Sequence, residues 1–365
     1  MAGTIGAEAL KTNENSGRLR SAAAGEGRGE RRRTGRVLRR PANNSRRANR
    51  DRNTRARRVN PLRYLALGCL IGCTAVFRVG GAPAQTAPVF AGPFRAGELG
   101  APPRNEASGL AASRRTPDLL WIHDDSGGQA ALFGVGLDGA LRGRLPIRSA
   151  KNDDWEDLAA AEFDGRAWLL IANTGDNLAR RSHVSLLLVP EPAPHQFEAT
   201  PAAATLRITY EDGPRDCESV AIDAAERSVY LLSKRDLPPR LYRVDMPAPL
   251  GNADLKARFL GLVTHLPGPT VAQAALKGHL GKHRAEPCAM DFASDGYAAV
   301  ILTYGDVLLF PRQPNESWTA ALQRVPVRLA EHGLPQAEAV CFSPDGRHIF
   351  VASESSRTLL RYDRR

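Results

Sequence analysis

Residues 154–177 read DWEDLAAAEFDGRAWLLIANTGDN. Acids flank a tryptophan, a short apolar run follows, Asp164-Gly165 interrupts it, and a second apolar run ends at another acid. Two short apolar runs around Asp-Gly read as a β-hairpin. Four other stretches repeat that order. They are EASGLAAS with DLLWIHDDSG (106–113 and 118–127), DCESVAIDAAERSVYLLSKRD (216–236), PCAMDFASDGYAAVILTYGD (287–306) and AEAVCFSPDGRHIFVASESS (337–356). The matched apolar anchors are Leu110, Leu158, Val220, Met290 and Val340, separated by 48, 62, 70 and 50 residues. Asp-Gly recurs at 295–296 and 345–346, where a tight hairpin turn belongs.

Each unit continues into a third apolar run: ALFGVGL, HVSLLLVP, RLYRVDM, DVLLFPR and TLLRYDR. Four units add a fourth: LRGRLPI, ATLRITY, ARFLGLV and QRVPVRL. Four-stranded units repeating near every 50 residues predict an all-β chain, a β-propeller with five blades. A sixth blade inside the 62- and 70-residue intervals is the alternative. The last unit lacks its outer strand, and APVFAGPF (87–94) is the candidate to supply it and close the ring.

The formal charge of +11 is unevenly placed. Residues 1–61 carry 17 Lys and Arg against 5 Asp and Glu, whereas 85–365 carry 31 against 34. The first segment is too polar to bury a core and is expected to be disordered. The mildly acidic remainder argues against nucleic acid as a partner, because a phosphate-binding surface needs a basic face. Residues 62–84 follow the pattern of an export signal: Arg63, an apolar run from Tyr64 to Phe77, and Ala82-Pro83-Ala84 before Gln85. A retained anchor helix and a lipoprotein cleaved before Cys73 (LIGC, 70–73) are the alternatives. The domains are therefore 1–61, a basic segment; 62–84, an export signal; and 85–365, the propeller. The expected location is periplasmic or secreted, with membrane contact only through the signal or a lipid on Cys73. Cys217, Cys288 and Cys341 show neither CxxC nor Cys/His spacing, so zinc is not indicated.

A propeller blade runs its first two strands antiparallel, so the start of one lies beside the end of the other on one face. Acids recur at both places. Glu106, Glu156 with Asp157, Asp216 with Glu218, Glu286 and Glu338 precede first strands. Asp124 with Asp125, Asp176 with Asn177, Asp236 after Lys234 and Arg235, Asp306, and Glu354 follow second strands. Glu156, Glu218 and Glu338 share one repeat position, two before the anchor, and belong to a ring at one channel mouth. Carboxylates gathered this closely must be protonated, paired or bridged by a cation. A hard, oxygen-preferring ion, Ca²⁺ first, is the expected cofactor. Its candidate ligands are Asp124, Asp125, Glu156, Asp176, Glu218 and Glu338, with Trp155, His123 and Asn177 as ligand- or partner-facing groups. The competing reading of any one acid is a turn residue bonded to nearby backbone.

The set DWEDLA with TGDN, ASGLAAS with HDDSG, and DCESVAID resembles a group of exported bacterial β-propeller proteins of poorly defined function, over nearly all of 105–365. More distantly it is similar to calcium-dependent propeller phytases and esterase-like propeller domains, whose sites lie at one end of the channel. Phytase-type sites add several Lys and Arg residues for phosphate. Here only Lys234 and Arg235 stand in the pattern, with Arg180, Arg181 and Arg215 as further candidates. The first functional expectation is an exported binding module that holds a small molecule or protein at the acidic face. One alternative is a metal-dependent phosphoester or ester hydrolase, with Glu156 or Asp157 as base and Lys234 or Arg235 stabilising the developing anion. The other is a structural propeller with no metal, its acids merely solvated. No GxSxG elbow and no HExxH occurs.

Overall fold

The computed structural model describes residues 89–100 and 106–365. The basic segment 1–61 and the export signal 62–84, with Cys69 and Cys73, lie outside the described residues.

Each quoted hairpin forms the two inner strands of a four-stranded antiparallel unit. From the inside outward, blade 1 is Ala107–Ala112, Leu119–Asp124, Ala131–Gly136 and Leu141–Arg148. Blade 2 is Asp157–Phe163, Arg166–Asn173, Val184–Pro190 and Ala204–Tyr210. Blade 3 is Cys217–Asp223, Ser228–Ser233, Arg240–Asp245 and Ala253–Leu262. Blade 4 is Pro287–Phe292, Ala298–Thr303, Val307–Pro311 and Val327–Arg328. Blade 5 takes Ala337–Phe342, His348–Ser353 and Thr358–Arg364 from the C-terminus. Its outer strand is Phe90–Glu98, paired antiparallel from Phe90↔Arg364 to Glu98↔Thr358. The fold is a five-bladed β-propeller, closed by its first strand.

Every inner strand is buried along most of its length, because its side chains pack between neighbouring blades. The five anchors each enter a different inter-blade core. Leu158 packs with Trp121 and Ile147 between blades 1 and 2, and Val220 with Leu170 and Leu206 between blades 2 and 3. Met290 packs with Leu232 and Trp318, Val340 with Val300 and Leu309, and Leu110 with Cys341 and Phe350. Five interfaces for five blades close the ring. Burying each such side chain contributes about 1.5–3 kcal/mol.

The longer intervals hold no sixth blade among the described residues. The 62-residue interval carries a wide 174–183 loop and a 191–203 excursion, in which Thr200–Pro201 adds to blade 1 in parallel with Ile147–Arg148. The 70-residue interval carries the crossing segment 263–286, with one short helix, Val271–Ala274. The outer strands of blades 2 and 3 also pair in parallel, from Leu206↔Ala253 to Tyr210↔Ala257. Of the three Asp-Gly pairs, only Asp164-Gly165 makes a two-residue turn, with both φ positive (54° and 66°) and Phe163 paired to Arg166. At Gly296 and Gly346 only the glycine is left-handed; the loops are wider, and Asp295 and Asp345 accept the N–H groups of Tyr297 and Arg347.

Candidate functional site: the acidic channel mouth

The first and second strands of each blade meet at one mouth of the channel, as their antiparallel pairing requires. Lys234 N–H donates to the Asp216 carbonyl, Asp125 N–H to that of Glu106, and Glu354 N–H to that of Gln336. Two residues before each anchor stand Ser108, Glu156, Glu218, Cys288 and Glu338, and two further out Glu106, Asp154, Asp216, Glu286 and Gln336. Three sets of ligand atoms approach within 4.8 Å of one another: Asp125 with Asp154 and Glu156, Glu156 with Asp216 and Glu218, and Glu218 with Cys288 and Glu338.

These three groups differ in how their charge is met. Lys234 is buried (5% exposed), bonds to Glu218, and stands 3.9 Å from Glu338. It also lies over the Tyr304 ring at 4.8 Å, and the Tyr304 hydroxyl donates to Glu338 at 2.7 Å. Burial works against its charge, but the acidic groups around it, Cys288, Glu218 and Glu338 first, hold its ammonium above the usual lysine range. Burial pushes the Cys288 thiol well up. Glu218 is raised by burial to about 8 despite Lys234. Asp216 has Arg235 Nε at 2.7 Å. The set of Asp125, Asp154 and Glu156 is bare. Among the described residues no Lys, Arg or His nitrogen pairs with Asp125, Asp154 or Glu156, and their carboxylates accept no hydrogen bond. Glu156 is only 6% exposed, and the Asp125 Oδ1 is a buried atom without a partner. Burial, then Glu218, Asp125 and Asp154, push the Glu156 carboxyl well up. Asp125 rises to about 7 by burial and by Asp154 and Glu338.

An unpaired cluster of one buried and two half-buried carboxylates is relieved by protonation or by a bound cation. Two oxygens on opposite sides of a Ca²⁺ stand about 5 Å apart, twice the usual 2.3–2.6 Å bond, so this spacing suits the ion. The Gly175 backbone forms part of the wall: a Cβ there would lie 2.1 Å from Glu156 Oε1 and 2.4 Å from Asp154 Oδ2. The glycine of TGDN thus lets both carboxylates stand against the backbone, where a methyl group would displace them.

Several expected site residues lie elsewhere. Asp157 is fully buried beneath the ring, where its Oδ1 accepts from Leu158 N–H (2.8 Å) and its Oδ2 from Val220 N–H (2.7 Å) and Met290 N–H (3.2 Å). It ties the inner strands of blades 2, 3 and 4 and is not placed to act as a base. Two blades on, Asp291 ties the inner strands of blades 4 and 5, accepting from the Phe292 and Phe342 N–H groups. Asp176 spends both oxygens on the Arg180 and Arg181 amides, which fixes the TGDN loop and removes it from the cation ligands. Asp124 joins none of the three sets; its carboxylate lies against Gly128. Trp155 is wholly buried, donates to the Lys151 carbonyl at 3.0 Å and meets His123 edge-on, so neither ring faces a ligand. Burial lowers His123 to about 4, which keeps it neutral. Asn177 is at the surface and accepts from Arg235.

No family model matches this chain, and no curated protein does. Among solved structures it is similar to a gluconolactonase from Xanthomonas campestris, at 11% identity and TM-score 0.41, covering 78% of this chain and 98% of that one. The PQQ-bound aldose sugar dehydrogenase from Streptomyces coelicolor overlaps at 10% identity and TM-score 0.41, with 77% and 100% covered. The Cps50 β-propeller domain from Myceliophteria thermophila overlaps at 12% identity and TM-score 0.33, with 73% and 67% covered. At these scores the likeness transfers no residue role and no activity.

Asp154, Asp216 and Cys288 complete the clusters and stand outside the ligands expected from sequence. Their signal is positional: Cys288 sits two before Met290, as Glu156 sits two before Leu158, and Asp154 and Asp216 lie two before ring glutamates. Tyr304 carries no such signal.

Proposed function

We propose that this protein is a binding module whose channel mouth holds a divalent cation, Ca²⁺ first, on Asp125, Asp154 and Glu156, and presents it to a small molecule or protein. The observation that carries this is the Glu156 carboxylate: nine-tenths buried, beside two further carboxylates, with no hydrogen bond and no ion pair among the described residues. Lys234 serves Glu218 and Glu338 as an internal counter-ion, which narrows the six expected ligands to Asp125 and Glu156 and adds Asp154. Three carboxylates leave coordination positions for water or a ligand oxygen, since Ca²⁺ takes 6–8. An exported location, the expectation from residues 62–84, agrees with this reading, because extracellular Ca²⁺ modules work at about 10⁻⁴–10⁻³ M.

The test is a calcium titration of the full chain by calorimetry, with Glu156→Gln alongside. Saturable binding that the substitution weakens at least a hundredfold supports the proposal. Undetectable binding in the parent protein, or unchanged binding in the variant, contradicts it. Hydrolysis is the rival. It loses Asp157 as a base, and its two cations are already paired to Glu218 and Asp216. Metal-dependent turnover of a phosphate or ester substrate by the loaded protein would replace the binding-module reading with that one.

A further inference from the structure

Beside the acidic mouth, a cavity of about 260 Å³ opens between the turn that follows blade 3's second strand and the crossing segment 263–286. We propose that it is a second binding site, for a small organic carboxylate with an apolar body. One wall is Pro238, Pro239, Val263, Leu266 and Pro269. These side chains offer apolar area without a polar partner to satisfy, and an apolar ligand group gains about 25 cal/mol for each Å² buried there.

The opposite side carries the recognition charge. Lys282 lines the cavity, is exposed, and forms no ion pair among the described residues. Arg235 binds Asp216 through Nε and Asn177 through Nη2, which leaves Nη1 free. Lys234 is committed to Glu218, and of the two acids that line the cavity, Glu286 and Asp236, the first is hydrogen-bonded to His283. Asp236 faces Arg215 at 3.5 Å. The two cationic groups with spare donors therefore flank an apolar hollow, the arrangement that takes a carboxylate by charge-assisted hydrogen bonds and its tail by burial. Leu237, 90% exposed at the rim, has no packing partner of its own to explain its place, and a bound tail would cover it. The size suits one ring or a short alkyl chain.

None of the three cation ligands lines this cavity, so the site stands independently of the calcium reading. The experiment is a ligand-observed NMR titration of the full chain, in chelator, with phenylpropionate, octanoate and the neutral phenylpropanol. Both carboxylates should bind saturably and the alcohol at least tenfold more weakly. Lys282→Glu, on an exposed side chain that leaves the fold alone, should weaken phenylpropionate at least tenfold. Lys277→Glu, on the same segment outside the cavity, should not. Leu237→Asp should weaken octanoate as well. Absence of binding, equal binding of the alcohol, indifference to Lys282→Glu, or binding that appears only with Ca²⁺ would each overturn the proposal; the last would place the carboxylate on the cation instead.

Discussion

At the scale of single residues, Glu156 and Asp157 are neighbours with opposite fates. Glu156 faces the mouth with nothing to bond; Asp157 faces the channel interior and satisfies three backbone amides of three blades. Asp157→Ala orphans those amides, at about 1–3 kcal/mol for each unsatisfied group. We expect a loss of roughly 3 kcal/mol or more in urea unfolding, whereas the exposed Asp153→Ala stays within experimental error of the parent. Glu156→Gln should do the reverse: in chelator it replaces a carboxyl that burial holds toward its neutral form with a neutral amide, and melts no lower than the parent. Gly175→Ala keeps every ligand but pushes a methyl group into Glu156 and Asp154. It should lower calcium affinity at least tenfold in the same calorimetric titration while blade 2 remains folded.

The pH dependence belongs to this scale too. Asp125 at about 7 and Glu218 at about 8 lie above their ordinary values of 3.8 and 4.5, and Glu156 is raised as well. Raised carboxyls bind more protons folded than unfolded. Their stabilisation is complete below the ordinary values and is lost as pH rises through the folded ones. In chelator the melting temperature should therefore fall between about pH 5 and about pH 9. Calcium competes with those protons, so its affinity should rise through about pH 7–8. A melt in chelator that rises over that window would contradict the site's electrostatics.

At the scale of elements, repetition made the blades legible. Five anchors at one repeat position mark five inner strands, and the missing outer strand of the last unit matches Phe90–Glu98. What the repeat cannot show is which way side chains at adjacent positions turn. Positions two before the anchor face the mouth and the position just before it faces the interior, so "WED" spells one ligand and one structural tie. Likewise Asp176 looks like Asp125 in sequence, yet its loop folds two amides onto it before any ion arrives. The excess residues of the long intervals resemble room for a blade, but Pro267, Gly268 and Pro269 open a crossing segment that walls a cavity instead. Closure by Phe90–Glu98 also has a measurable consequence. Gly97 lies so close to the Asp138 carbonyl that a Cβ there would stand 1.8 Å from its oxygen, which locks that strand against blade 1. Gly97→Val should break the lock and lower the melting temperature of the whole domain, since blade 5 holds both chain ends of the ring.

At the scale of the molecule, the candidate cation sits between blades. Asp125 follows the second strand of blade 1, Asp154 and Glu156 lead into blade 2, and Trp155 N–H donates to the Asp125 carbonyl at 2.9 Å. An ion there ties two blades of a closed ring, so its loss is felt in the global transition rather than in a loop. Binding to the folded state alone adds about 2.7 kcal/mol at a hundred times the dissociation constant. For a domain of this size each kcal/mol moves the midpoint by about 2–4 °C. The most direct test is the thermal melt of the full chain with calcium and with chelator. A rise of roughly 5–10 °C in calcium, abolished by Glu156→Gln, is the predicted result. A midpoint indifferent to calcium would contradict the account and leave the acidic mouth a solvated rim.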